Sequence, residues 1–272
     1  MFINDFNWRS KQYSFAGGLQ SNFEGLLKVV NYEADNADKY KIDGLTSEAS
    51  SVVAYNGKIP LVKKNQKKSK INFLTPKFSL RYAPNQMRNI SDDDLKLNYK
   101  NLFSLNKNSQ VDVVERGTSA TLGLEISNND FSNEISGQKN YSLSVGQVYN
   151  FDENTNIPSR SSLDQKTSDL VGEAFVRLSD NLTLKSDFNL DHNFSDVNYQ
   201  DLQANLILGN TNFNIKYLEE NKHIGSSAYV RSDIKIDFEN STSFSFDLKK
   251  NLETDSTEFY NLAYDYINDC LK

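Results

Sequence analysis

Apolar and polar residues alternate almost without interruption from Leu170 to Tyr266, through seven consecutive segments. A period of two puts successive side chains on opposite faces of a strand, so this pattern predicts β-structure. Leu182, Leu184, Phe188 and Leu190 share one face of their segment, and Thr183, Lys185, Asp187 and Asn189 the other. Phe213, Ile215 and Tyr217 alternate with Asn212, Asn214 and Lys216. From Ala228 to Phe238 the contrast sharpens: Val230, Ile234, Ile236 and Phe238 oppose Arg231, Asp233, Lys235 and Asp237. One face is oily and the other carries charges of alternating sign.

Upstream, residues 2–16 read as a weak strand and Leu19 to Tyr32 as a better one, followed by a polar connector from Glu33 to Glu48. Ser51 to Val62, Ile71 to Ala83 (interrupted at Pro76), Thr118 to Ile126 and Tyr141 to Tyr149 complete the set. Strands of about 10 residues then give about 13 strands, with no convincing helix. Tight turns are expected at Ser179-Asp180-Asn181, Gly209-Asn210-Thr211 and Glu239-Asn240-Ser241. Counted alternately, the long connectors (33–50, 84–116, 151–166, 191–196, 218–227 and 249–256) fall on one side. The other side receives 63–70, 127–139 and the tight turns. Short turns at one end and longer loops at the other are the mark of an outer-membrane barrel. The expected fold is therefore all-β: an antiparallel up-and-down transmembrane β-barrel, present in part as an open curved sheet, with residues 1–272 all belonging to that one domain. Tyr149, Tyr217, Phe238 and Tyr260, at segment ends, suit an interfacial girdle, and would equally suit a sandwich core.

Composition narrows this. Mean hydropathy is −0.62 and no run of 18 apolar residues occurs, which excludes a helical span but not a barrel, where only alternate residues meet lipid. A net charge of −6 argues against nucleic acid as a partner, because a phosphate backbone needs a basic surface. The 31 Tyr and Phe residues, against four prolines, suit strands. Met1-Phe2-Ile3-Asn4-Asp5 has no basic start, apolar stretch or cleavage site, so no signal peptide is expected here, and the barrel reading then requires a longer gene product.

Candidate chemistry is sparse. His192 and His223 sit in no metalloprotease spacing, and there is no nucleophile elbow or phosphate-binding glycine loop, so neither an enzyme nor a cofactor is expected. Asp92-Asp93-Asp94 could offer oxygen ligands to a divalent cation, but no glycine-anchored loop spacing surrounds them, and an exposed acidic loop is the expectation. The basic run from Lys63 to Lys70 reads as a solvated hairpin turn in preference to a contact with anionic lipid or nucleic acid. Lys185, Asp187, Arg231, Asp233, Lys235 and Asp237 are expected to face a lumen, where opposite charges on neighbouring strands can pair and water solvates the rest. On a soluble sandwich the same residues would be the solvent face, and alternation alone does not separate the two.

Leu102-Phe103-Ser104-Leu105-Asn106, followed by Asp112, Glu115, Thr118 and Leu122-Gly123, resembles a stretch of the LptD family, the lipopolysaccharide-assembly barrel of the Gram-negative outer membrane. Four further stretches are similar in the same order: Leu74-Thr75-Pro76-Lys77 with Leu80-Arg81-Tyr82; Gly146-Gln147-Val148-Tyr149; Asn221 with His223-Ile224-Gly225; and Thr257 to Leu262 running on to Asn268-Asp269-Cys270. The resemblance covers most of the chain from about Gly17 and is greatest to alphaproteobacterial members. It implies a periplasmic jellyroll followed by a large barrel, plugged by an LptE-like lipoprotein, that takes lipopolysaccharide from a periplasmic bridge protein and delivers it to the outer leaflet. It also implies disulfides between the jellyroll and cysteines near the barrel's end. Cys270, the only cysteine, matches a position of that kind. Two departures are Asn106-Lys107 where Asn-Arg is more usual, and a single cysteine where some members have two. With no signal peptide, jellyroll or terminal barrel strands recognised, the chain is expected to be a fragment of the C-terminal half. The alternatives are another outer-membrane barrel, such as a porin or nutrient channel, and a soluble β-sandwich binding module.

Overall fold

The computed structural model describes residues 1–35, 37, 39–40, 44–65, 69–108, 110–131, 137–222, 226–238 and 242–266. Among these, every regular element longer than a single 3₁₀ turn is a strand: β1 (Phe2–Arg9), β2 (Tyr13–Ser14), β3 (Gln20–Tyr32), β4 (Thr46–Lys58), β5 (Leu61–Asn65), β6 (Lys70–Ala83), β7 (Gly117–Asp130), β8 (Gln138–Asn150), β9 (Leu170–Arg177), β10 (Leu182–Leu190), β11 (Val197–Leu208), β12 (Thr211–Glu220), β13 (Ser227–Phe238), β14 (Thr242–Asn251) and β15 (Ser256–Tyr266). They form one open antiparallel sheet. Thirteen strands follow one another along its path, and the short β2 and β5 lie beside β3 and β6. No crossover occurs along that path among the described residues: the chain runs on from β1 into β2 and from β4 into β5 in one direction, and otherwise each strand is followed by its antiparallel spatial neighbour. The seven segments read from alternation are β9 to β15. The two-residue turn Gly209-Asn210 joins β11 to β12 with φ +57° at Gly209, a left-handed conformation that glycine adopts without penalty.

Three local expectations change. The weak segment at 2–16 is two strands, both paired to β3. The connectors predicted at 33–48 and 127–139 are shorter, since β4 begins at Thr46 and β7 runs to Asp130. Pro76 does not interrupt β6, which continues through it and pairs it with Leu124. The reason lies in which way its backbone points. The Pro76 carbonyl accepts from Ile59 N–H, so its missing donor faces the junction of β4 and β5 and removes no hydrogen bond from the β6–β7 ladder.

Register decides what each face carries, since directly paired residues point to the same side. One row runs Tyr141, Val176, Leu184, Ala204, Ile215, Ser232, Leu248 and Tyr260 across β8 to β15. Another runs Phe23, Tyr55, Leu80, Ala120 and Tyr149 across β3 to β8. This face is bare: Leu80 is 51% exposed, Ile215 54% and Leu262 67%. No second layer and no helix covers it among the described residues. Tyr149, Tyr217 and Tyr260 stand on it toward the long-loop end, and Phe238 at the other end. An apolar surface of this extent invites aggregation in water, whereas hydrocarbon solvates it. Ile215→Lys, in the middle of β12, is accordingly expected to lower the unfolding free energy in phospholipid vesicles by about 2–4 kcal/mol. Urea titration reads this directly, and a change below about 0.5 kcal/mol, the usual effect of a surface substitution in water, would place the face in water instead.

Candidate functional site

The opposite face is polar, and its charges fall into rows. Glu125, Ser144, Glu173, Asp187 and Asp201 are register partners in sequence across β7 to β11. One level closer to the short turns, Lys185, Gln203, Lys216, Arg231 and Lys249 align across β10 to β14. Beyond them come Asn205, Asn214, Asp233 and Asp247. Like charges side by side across a ladder are unfavourable, and the flanking acidic rows offset this. Lys216 Nζ lies 2.8 Å from Asp201 Oδ2, Arg231 holds both carboxylate oxygens of Asp247 at 2.9 and 2.5 Å, and Lys249 meets Glu258 at 2.6 Å. Asn214 bridges Asn205 and Asp233.

Against this polar face lies the connector between β6 and β7, residues 84–116, joined by residues 151–169 between β8 and β9. Leu95, Leu97, Tyr99 and Leu102 pack with Ile157 and Leu163 onto Val148 and Val171 of the sheet, and Leu97 and Leu102 are 0% exposed. Leu105 and Val114 pack similarly onto Leu26, Val52 and Ala83. Each such side chain contributes about 1.5–3 kcal/mol by leaving water. The molecule's buried apolar clusters therefore sit between these segments and the sheet.

Two glycines admit the segment. Gly123 and Gly146 face each other across β7 and β8. A Cβ on Gly146 would stand 2.4 Å from Leu102 Cδ2, and one on Gly123 would stand 2.7 Å from Phe103 Cζ. The backbone must be bare there for Leu102 and Phe103 to seat. Phe103 also receives the ammonium of Lys77 over its ring at 4.8 Å, and Lys77 pairs with Glu125, which accepts from the Tyr99 hydroxyl.

Polar clasps complete the attachment. Arg81 on β6 donates to the carbonyls of Leu105 and Glu115, and Asn189 on β10 donates to the carbonyl of Leu97 at 2.8 Å. Asn106 closes the segment on itself, donating to Val113 O at 2.9 Å and accepting from Glu115 N–H at 3.0 Å. Lys107 lies beside Glu115, 3.7 Å away and fully enclosed with it. Burial pushes the Lys107 ammonium down to about 8 against the opposing pull of Glu115. Burial also pushes the Glu115 carboxyl up, but Lys107 and Arg81 outweigh it and hold the group below its ordinary range. Asp112 accepts from Arg88 and from the Tyr40 hydroxyl, each at 2.8 Å, with the Arg88 guanidinium stacked over the Tyr40 ring. This joins the segment to the connector between β3 and β4. Burial raises the Asp112 carboxyl, and the bonds from Tyr40 and Arg88 reverse that, so the net direction is down.

All six charged residues expected on one face do share it: Lys185, Asp187, Arg231, Asp233, Lys235 and Asp237 stand on the side that carries the segment. Arg231 pairs across strands with Asp247, whereas Lys235 pairs along its own strand with Asp237 at 2.9 Å. Leu102, Phe103, Asn106 and Asp112 all belong to the inward segment, in apolar and clasping positions. Asp93 is paired with Lys39, and no metal-holding cluster occurs among the described residues. Cys270, His223 and the turn at 239–241 lie outside the described residues, as does part of the basic run, whose described ends form the β5–β6 hairpin. The sequence placed Lys216 on the polar face without its row, and missed the row partners Asp201, Asp247 and Lys249 and the Gly123–Gly146 socket. Mid-strand glycines were the available signal for the socket.

A family model described as LptD, LPS transport system D, matches residues 10–252. Among solved structures, a mutant of the Rh. blastica porin aligns with 90% of this chain and 97% of its own at 11% identity and a TM-score of 0.29. A structure titled "Asymmetric conductivity of engineered proteins" gives the same values. No curated protein matches.

Gly123→Ala is expected to overpack the Phe103 seat by about 1–3 kcal/mol. Faster protease cleavage within 84–116 would report this, and Phe103→Ala in the same chain would relieve the clash itself. The depressed Asp112 carboxyl contributes stability that is present above its unfolded value of about 3.9 and is lost as pH falls through its lower folded value. Protease resistance of the segment should therefore be flat from pH 7 to 5 and fall only in stronger acid, and Asp112→Asn should lower it already at pH 7.

Proposed function

The chain belongs to the LptD family of lipopolysaccharide transport, and from that membership we propose that its sheet forms part of the wall of an outer-membrane conduit that inserts lipopolysaccharide into the outer leaflet. The observation that carries the reading is the division of the sheet into a bare apolar face and a face of charged rows overlaid by an inward segment. A lipopolysaccharide joins a hydrated sugar head to acyl chains, and leaving those chains in water would cost about 0.8 kcal/mol per CH₂. The charged face suits the head and the bilayer suits the chains, which requires a sideways exit. The segment 84–116, held by apolar contacts and by clasps to β6 and β10, supplies a closure that keeps the charged face from being an open pore. Passage of this kind moves a lipid and breaks no bond, so no catalytic residue is assigned. A plug lipoprotein and a periplasmic bridge protein are the partners this reading calls for.

The test uses the full-length protein with its plug lipoprotein in liposomes, supplied with lipopolysaccharide through the periplasmic bridge. Lipopolysaccharide reaching the far leaflet is then measured by its accessibility to a modifying enzyme. Delivery that depends on the protein supports the reading. A protein that conducts ions but delivers no lipopolysaccharide overturns it in favour of a channel.

A further inference from the structure

β4 and β5 run as one line along β6, with Lys58 opposite Lys77 and Leu61 opposite Leu74. β3 accompanies that line only as far as Lys58, which pairs with Gln20. The Ile59 N–H donates to Pro76 O on β6 at 3.0 Å. Backbone bonds of an antiparallel strand alternate between its two sides, so Leu61, Lys63 and Asn65 also bond to β6. Pro60, Val62 and Lys64 then face the other way, and Pro60 has no N–H with which to continue the pairing to β3. Among the described residues no backbone bond reaches Val62 or Lys64 from that side, and no strand other than β6 pairs with β5. An open strand edge therefore lies within the course of the chain, at the short-turn end of the sheet.

The hairpin that carries this edge stands clear of the oily surface. Leu61, Leu74, Ile126 and Leu143 are register partners across β5 to β8, and the next row on the same face toward the short turns is Lys63, Asn72, Asn128 and Tyr141. Asn128 donates to Asn72 at 2.6 Å, and the Tyr141 hydroxyl donates to it as well. Leucine gives way to amides in one step, which marks the end of the hydrocarbon layer there. Val62 is 51% exposed, and Lys63 and Lys64 are exposed beside it. The charge at this edge is one-sided. Residues 49–91 contain nine lysines and arginines and no aspartate or glutamate, in a chain whose net charge is −6. Residues 10–23, which lead through β2 into β3 next to the edge, bring no carboxylate either. Across the ladder Asp130 of β7 pairs with Lys70 at 3.7 Å, whereas Lys63 and Lys64 make no ion pair among the described residues.

We propose that the free edge of β5 is a docking site for a partner protein, which adds an extended acidic segment as a further strand beside Val62 and Lys64. An added strand supplies both donors and acceptors to an open edge, and its side chains decide which strand is accepted. Lysines keep such an edge from pairing indiscriminately. Carboxylates opposite them turn that exclusion into selection. Lys63 and Lys64 point to opposite faces, so adjacent carboxylates on the added strand meet one lysine each. A second copy of this hairpin would set lysines against lysines, which disfavours self-pairing. An anionic lipid head could meet the charge, yet it offers no row of N–H groups to the carbonyls of Val62 and Lys64. With short turns on the periplasmic side, the partner is a periplasmic one. The inference needs only that the short-turn end stands in water, and it is independent of the delivery of lipopolysaccharide.

The test measures the fluorescence anisotropy of short, end-blocked, labelled peptides on the full-length protein in neutral detergent. One peptide carries a pair of adjacent aspartates among threonines and valines, and another carries lysines in their place. A third is the aspartate peptide N-methylated throughout its centre, so that neither of its edges can pair. The aspartate peptide is expected to bind at least about tenfold more tightly than either of the others. Lys63→Glu/Lys64→Glu should reverse the preference, the lysine peptide then binding at least about tenfold more tightly, and this gain of binding also shows that the variant is folded. Val62→Pro removes an edge donor that β6 does not use and should abolish binding, while Val62→Ala keeps it. Equal binding of the aspartate peptide and its N-methylated form, or unchanged binding by Val62→Pro, overturns strand addition and leaves a charged patch of the kind an anionic membrane would satisfy. Equal binding of the aspartate and lysine peptides overturns the selection. Binding of neither overturns the docking site, as when another part of the chain or a second copy already covers the edge. An unchanged preference in the charge-reversed variant overturns the assignment to β5.

Discussion

Each strand of this sheet must satisfy two different surroundings at once, and the backbone gives it only a period of two with which to do so. A shift of one residue in any pairing would turn a row of leucines toward charges and a row of lysines toward oil. That penalty, repeated across the strands, pins the register, and the register creates the site. The cation row exists only because Lys185, Lys216, Arg231 and Lys249 are held at one level. The acidic rows on either side allow it to be held there.

The location of the buried apolar clusters follows from the same constraint. A soluble β-protein would bury its oily face against a second sheet. Here that face stays bare, and the burial is assigned to the other side, where Leu97, Leu102 and Leu163 are enclosed between irregular segments and the few apolar residues of a polar wall, such as Val148 and Val171. An irregular segment of this length carries many backbone polar groups that must be satisfied once enclosed. Arg81, Asn106 and Asn189 meet that need by binding carbonyls along 84–116, and Asn150 does the same for the connector that follows β8 by donating to Leu163 O. The result is a closure attached by apolar contact and by hydrogen bonds at discrete points, with a charged groove left beside it.

The closure and the groove are therefore linked. Tyr99 and Lys100 are adjacent, the first donating to Glu125 on the wall and the second lining a cavity of about 470 Å³ against the sheet. Glu125 also holds Lys77, whose ammonium covers Phe103 in its glycine seat. A change in the seat of Phe103 would thus be felt where the groove meets the segment, through contacts that are continuous from one to the other.

Much of this architecture was written locally. Alternation in β9 to β15 showed the two faces, connector lengths showed the two ends, and the six charged residues read as sharing a face do share it, because period-two placement needs no knowledge of neighbours. The family stretch around Leu102 and Asp112 marked the segment that turns out to lie on the polar face, without showing that it folds inward. What the tertiary structure alone decided was everything that depends on pairing between strands or on where an irregular chain comes to rest. In their own strands Lys216, Arg231 and Lys249 are ordinary polar-face residues, and only the ladder makes a row of them. Gly123 and Gly146 are ordinary glycines until Phe103 and Leu102 arrive. Pro76 looked like a break because the direction of its absent N–H cannot be seen in a one-dimensional pattern. Faces are a property of a single strand and can be read from it, whereas rows, seats and cavities are properties of relations between distant residues, which the fold has to bring together before they exist.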